Sequence, residues 1–366
     1  MTRTGRLAAA LGLIVLSAAA YADESPRTEP FEFVSGGRRL RGALDRPAGR
    51  PASGVVVFVH GHGRTDAVEG NWYGDLRRRF ADLGLASLIW DKPGCGRSEG
   101  SYDHDQTVQS SADEVLAAIE ELQRRKLPGS DRVGLWGISR AGWICPLVIQ
   151  RLPSVAFWIS VSGTDEKESF GYLLETNLRI EGRSASEARA LVDEWRRGLE
   201  VFRKGGSFAA NQKATANLRR DPFFSEFFGR NGTEAAYLAD QKRFIAEGHV
   251  FDDASGLMIY VPGLRDRLRA VRCPVLALFG EKDSNVDWRS TAALYKDTIP
   301  RLTLKTFPGC NHNLRQCRTG GFRETMTGGS QPVCEGYHDA IVAWVEALET
   351  AAATASTRPR VAGSRR

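Results

Sequence analysis

The sequence predicts an α/β fold in which a mostly parallel sheet is flanked by helices and interrupted by a helical insertion. Three observations carry that expectation. Short apolar runs recur along both ends of the chain, helical periodicity fills the gaps between them, and the alternation stops across residues 164–268.

Residues 31–34 and 40–44, separated by Gly36-Gly37, read as an opening hairpin. Residues 55–59 (VVVFV) are an unbroken β-branched and aromatic run, as expected of a strand buried on both faces. Comparable runs follow at 85–90, 133–136, 155–161, 275–279 and 302–307. Between them, 72–83 and 108–122 have helical spacing, with Val115, Leu116, Ile119 and Leu122 on one face of the second. The 164–268 stretch keeps helical spacing at Leu191, Trp195, Leu199 and Phe202 and is dense in aromatic residues, including Phe223-Phe224 and Phe227-Phe228. It reads as a helical cap over the sheet, because strand-like segments resume after it. The expected organisation is a leader (1–22), a core in two parts (23–163 and 269–350) around the cap, and a disordered basic tail (351–366).

The formal charge of +6 resides in the ends. Arg3 and Arg6 lie in the leader, and Arg358, Arg360, Arg365 and Arg366 lie in the tail, so the body carries no net charge. A nucleic-acid binder would carry its basic excess on the folded domain, so that class is set aside. The leader has a basic start, an apolar run and Ala20-Tyr21-Ala22, which suit cleavage after Ala22 and a mature chain starting at Asp23. The expected location is periplasmic or secreted, with no membrane span after cleavage; an uncleaved anchor is the alternative.

Four loops carry chemistry. In Gly137-Ile138-Ser139-Arg140-Ala141, small residues flank a serine two positions to either side, between a buried strand and an apolar helix. A nucleophile on a strand-to-helix elbow needs this layout, because the turn is too sharp for larger neighbours. His60-Gly61-His62-Gly63 directly follows a strand, where a loop amide can face an oxyanion; by position the two amides belong to His62 and Arg140. The paired histidines lack an acid or cysteine at ligand spacing, so no metal or other cofactor is expected. Asp283 ends the turn after 275–279, with Asp287 as the rival acid, and His312 follows 302–307. Serine, aspartate and histidine in this order suit attack by Ser139, proton transfer to His312 and orientation of His312 by Asp283.

With these motifs in place, the chain resembles the α/β-hydrolase superfamily over about residues 31–350, specifically its bacterial esterase-like and prolyl-peptidase-like branches. Asp91-Lys92-Pro93-Gly94-Cys95-Gly96-Arg97-Ser98 is similar to the family's D-x-x-G-x-G-x-S loop, which implies an aspartate held by backbone amides and glycines turning beside the site. The segment 143–146 fits the esterase-like branch, whereas Ala141 in place of glycine, Cys95 and the 310–334 loop depart from the usual pattern. The resemblance implies an acyl-enzyme mechanism on a small-molecule ester. The runner-up is a peptidase acting on short peptides or aminoacyl amides, and a third reading is an inactive binding protein on the same fold. No glutamate pair in the insertion reads as a trap for a peptide amine, which tilts the expectation toward esters.

Six cysteines in an exported chain permit disulfides. The Gly-rich 310–334 loop is poor in apolar residues, so a covalent tie is expected to hold it. Cys317–Cys334 is the first choice, Cys310–Cys334 the second and Cys95–Cys310 the third. Cys145 is expected to be a buried free thiol.

Overall fold

The computed structural model describes residues 26–229, 232–327, 329 and 331–356. The proposed leader and cleavage site, and residues 357–366 of the tail, lie outside the described residues. The chain opens with a hairpin, β1 (Arg27–Ser35) and β2 (Arg38–Arg46). Strand and helix then alternate through β3 (Val55–Val59), α1 (Gly74–Asp82), β4 (Ala86–Trp90), α2 (Val108–Arg124), β5 (Val133–Ile138), α3 (Ala141–Arg151) and β6 (Phe157–Val161). The cap follows: α4 (Phe170–Ile180), α5 (Ala185–Arg203), α6 (Phe208–Ala214), α7 (Ala216–Arg220), α8 (Pro222–Phe227) and α9 (Glu234–Glu247). A small antiparallel pair, β7 (Val250–Phe251) and β8 (Met258–Ile259), and α10 (Leu264–Ala270) lead back to the sheet. The chain ends with β9 (Val275–Gly280), α11 (Trp288–Thr298), β10 (Leu302–Phe307), α12 (Phe322–Thr327) and α13 (Tyr337–Ser356).

The main sheet runs in the order β1-β2-β4-β3-β5-β6-β9-β10. The hairpin pairs antiparallel and β2 joins β4 antiparallel; every pair from β4 to β10 is parallel. Every residue of β3, β4, β5, β6 and β9 is buried, which explains why these strands read as unbroken apolar runs. One face packs residues such as Val115, Ile119, Ile144 and Val148 from α2 and α3 against the sheet. The other face packs Leu76 and Phe80 of α1 and Ile341 and Val345 of α13. Each such side chain contributes about 1.5–3 kcal/mol when fully withdrawn from water. The cap has its own core of Leu174, Leu178, Ala188, Val192, Leu218 and Phe223, so much of its aromatic content is spent internally.

Two expectations need correction. Helix α13 continues to Ser356 through the start of the stretch expected to be disordered; its alanines are strong helix formers. The disulfide is Cys310–Cys334, whereas Cys317 is free, as are Cys95, Cys145 and Cys273. Local pairing selects the partner. Cys310 bridges Gln316, Arg315 bridges Val333, and Cys334 N–H donates to the Leu314 carbonyl at 2.9 Å, which brings residue 334 beside residue 310. Nor is the loop bare of packing, since Phe322 of α12 packs edge-on and tilted against Phe227 and Phe228 of the cap, 5.2 and 5.4 Å between ring centroids.

Thiol titration of the denatured, non-reduced protein should count four free cysteines. The bridge closes a loop with a sequence separation of 24. Cys334→Ser should therefore cost about 3 kcal/mol and lower Tm by roughly 4 °C. An unchanged melting temperature would show that the bridge does not hold the fold.

Candidate active site

Ser139 sits in the left-handed region (φ 57°) between β5 and α3, a conformation that costs a non-glycine residue about 1–3 kcal/mol. The strand-to-helix turn imposes it. Ser139 N–H donates to Val161 of the neighbouring strand at 2.9 Å, and its carbonyl accepts from Gly142 at 2.8 Å. A Cβ at position 137 would lie 2.7 Å from Ala141 Cβ and 2.9 Å from Cys145 Sγ. Gly137 therefore makes room for the alanine found where glycine is usual.

Strands β5, β6, β9 and β10 are consecutive neighbours in the sheet, so the loops after them converge on its C-terminal edge. Asp283 and His312 meet there, both buried. His312 Nδ1 lies 2.7 Å from Asp283 Oδ2, and Asp283 Oδ1 accepts from the N–H groups of Asn285 (2.8 Å) and Val286 (3.0 Å). A carboxylate only accepts, so Nδ1 carries the proton and Nε2 is left as a base. Two contacts join the acid and base loops. Lys282 N–H donates to the Cys310 carbonyl at 2.9 Å. A Cβ on Gly280 would come within 2.3 Å of the Asn311 carbonyl, which explains the glycine of the F-G-E-K-D turn. Asp287, the rival acid, instead caps α11 by accepting from Arg289 and Ser290. The cap adds two ties, from Tyr172 Oη to the Asp283 carbonyl (2.9 Å) and from Asn177 Nδ2 to the Ser284 carbonyl (3.2 Å).

The loop after β3 packs on the elbow, with an added Gly61 Cβ 3.3 Å from Ser139 Cβ. The backbone N–H groups of His62 and Arg140 donate to no protein acceptor among the described residues, so both are available to an oxyanion. His60 has a different task from His62. It is buried, its Nε2–H donates to the Trp90 carbonyl at 2.6 Å, and burial holds its pKa at about 3, so the ring is neutral. His62 faces His104, 4.6 Å between rings. Among the described residues no cluster of three His, Cys, Asp or Glu side chains is placed to hold a metal.

Sequence reasoning assigned no role to Lys92. Its ammonium donates to the carbonyls of Gly61 (2.6 Å) and Gly63 (2.8 Å), bracketing His62. The signal was present: a lysine where a buried strand ends, one residue after an aspartate with a structural task. That aspartate behaves as the D-x-x-G-x-G-x-S resemblance implies, with Asp91 accepting from the backbone of Val68 (2.9 Å) and Arg97 (3.1 Å). Burial pushes the Lys92 pKa down to about 8, with the Arg140 guanidinium adding to the effect.

A sequence model of the serine aminopeptidase (S33) family matches residues 50–316. Among solved structures, the chain is similar to an esterase of Pyrococcus furiosus at 13% identity and a TM-score of 0.50, covering 88% of this chain and 93% of that one. It is also similar to the proline iminopeptidase of Mycobacterium smegmatis at 17% identity and a TM-score of 0.52, covering 88% of this chain and 100% of that one. At these identities the likenesses show a shared fold. No curated protein matches the chain in sequence.

Lys92→Met should lower kcat by about 10- to 100-fold with little change in KM, because the loop loses the cation that holds both carbonyls. In the wild type, kcat should fall as pH rises through about 8 and Lys92 loses its charge. Stability should move the opposite way. The unfolded lysine keeps its proton to about pH 10.4, so between the two values the unfolded chain binds more protons and rising pH favours the fold. A Lys92→Met enzyme with wild-type kcat would refute this role.

Proposed function

The chain belongs to the serine aminopeptidase (S33) family of α/β-hydrolases, and from that premise we propose that it hydrolyses carboxylic esters through an acyl-enzyme on Ser139. The observation that carries the reading is the buried Asp283–His312 pair at 2.7 Å, on loops after two strands of the sheet whose same edge carries an elbow serine and two free amides. His312 Nε2 takes the Ser139 proton as Oγ attacks the carbonyl carbon. The N–H groups of His62 and Arg140 hold the oxyanion, and His312 returns the proton to the departing alcohol. Water activated by His312 then releases the acid.

The alternative, a peptidase acting on short peptides or aminoacyl amides, is favoured by the family match. A cationic amine needs an unengaged carboxylate, and several acids of the cap are taken. Glu168 accepts from the backbone of Phe170 and Gly171, Glu181 and Glu226 pair with Arg323, and Glu166 lies near Arg265. That engagement supports esters. Export through cleavage after Ala22 belongs to the same proposal, supported by the leader's pattern and by a disulfide suited to an oxidising compartment.

Ser139→Ala should remove nearly all turnover while leaving Tm unchanged, His312→Ala should remove it as well and lower Tm because Asp283 stays buried without its partner, and Asp283→Asn should cost about 10⁴-fold in kcat. A fluorophosphonate should label the wild type and not Ser139→Ala. p-Nitrophenyl acyl esters should exceed aminoacyl anilides in kcat/KM; the reverse order would overturn the ester assignment. N-terminal sequencing of protein recovered from the periplasm or medium should begin at Asp23, and a start at Met1 in membranes would overturn export.

A further inference from the structure

A cavity of about 550 Å³ lies under α9, between the cap and the loop before α2, and Arg140 lines it. Arg140 is the residue that follows Ser139 on the elbow. Its walls are apolar at Phe202, Phe244, Met258 and Tyr260. Its charged groups are unevenly matched. Arg243 of α9 pairs with Asp105 and lies 3.8 Å from Asp240, while Glu247 holds His249 Nε2 at 2.8 Å. Those three acids are the carboxylates lining the cavity. Two further arginines, Arg140 and Arg267, line it as well, and neither has a carboxylate within ion-pair distance among the described residues.

Arg140 is the sharper case. Its side chain belongs to a residue only 8% exposed, and it donates to two neutral acceptors, Ser111 Oγ at 2.9 Å and the Gln106 carbonyl. A guanidinium has five N–H donors, so others remain free. Burying a cation without an anion is costly unless something compensates it. The interior compensates it only in part: Glu114 and Asp103 favour the cation, but burial outweighs them and Lys92 adds a second positive charge nearby. Glu114 is itself held by Gln106, and burial raises its pKa. The cavity thus offers guanidinium groups without a carboxylate partner in a partly apolar setting, one of them on the residue that follows the candidate nucleophile.

We propose that this cavity binds a carboxylate on the substrate through Arg140 and Arg267, so that the preferred substrates are esters carrying a carboxylate across an apolar spacer. The inference rests on the reading that Ser139 hydrolyses esters. It extends that reading from ester chemistry to anionic esters, with the carboxylate on either the acyl or the alcohol side. A guanidinium suits this task because it meets a carboxylate with two parallel N–H donors. Asp105 and Asp240 gather at Arg243 and Glu247 contacts His249, so none of the three acids lies within ion-pair distance of Arg140 or Arg267.

Hydrolysis followed by pH-stat separates the cases. Monoethyl adipate against diethyl adipate tests an acyl-side carboxylate, and 4-acetoxybenzoate against phenyl acetate tests an alcohol-side one. In at least one pair the charged ester should have a KM about tenfold or more below its neutral partner, an advantage that added salt reduces. Arg267→Met should raise that KM about tenfold while leaving kcat/KM for the neutral ester unchanged, which also serves as the control for folding. Equal KM values within both pairs, or an Arg267→Met enzyme that keeps the preference, would overturn the proposal. Adipate and benzoate binding, read as a rise in Tm that Arg267→Met abolishes, needs no turnover. If no ester is cleaved, the ester reading fails alone; if neither carboxylate raises Tm, the anion site fails as well.

Discussion

The hydrogen bond between His312 and Asp283 is the constraint on which the rest of the site depends. Both groups are buried, where an unmatched carboxylate or a misoriented imidazole would be costly, so their loops must be placed within tenths of an ångström. The neighbouring parallel strands β9 and β10 bring the loops together, and backbone contacts set the fit. Lys282 donates to Cys310, and Gly280 lets the Asn311 carbonyl approach where a Cβ would collide. The Cys310–Cys334 bridge and the Asn311 side chain, which accepts from the backbone of Asn313 and Arg315, then close the base loop on itself.

The opposite wall is organised by charge. Asp91 accepts backbone amides from its own loop and from the loop after β3, and Lys92 donates to two carbonyls of that same loop after β3. Adjacent residues of one turn thus satisfy donors and acceptors that a tight loop cannot satisfy internally. The cost is a buried ammonium near the Arg140 guanidinium, and each disfavours the charge of the other. A positive environment behind two free amides suits a site where negative charge develops, because such preorganised dipoles need no rearrangement during the reaction.

The cap does more than cover the sheet. It packs a core of its own and then reaches the chemistry through Tyr172 and Asn177, which bond the carbonyls of the acid loop. Asn177 also accepts from Phe322 N–H at 2.5 Å, so one amide side chain links the acid loop, the cap and the loop carrying the base. Arg323 adds ion pairs to Glu181 and Glu226. Movement of the cap would therefore be transmitted to Asp283 and His312 through specific bonds.

The sequence by itself pointed to the order of strands and helices along the chain, to a helical insertion and to Ser139, His312 and one of two aspartates as candidates on the loops after their strands. Each of these is a local property: a strand buried on both faces must be apolar throughout, and a sharp turn must be lined by small residues. The tertiary structure decided whatever depends on partners distant in sequence. It chose Asp283 over Asp287, because the latter is engaged as a helix cap, and Cys334 as the partner of Cys310, because two isolated bridges align their backbones. It gave Lys92 a task by folding residues 61–63 against it, and it set the cavity's acids beside Arg243 and His249, outside ion-pair distance of Arg140 and Arg267. Hydrogen bonds and ion pairs between remote segments leave no periodicity in a sequence, so only the folded chain reveals which side chains are already engaged.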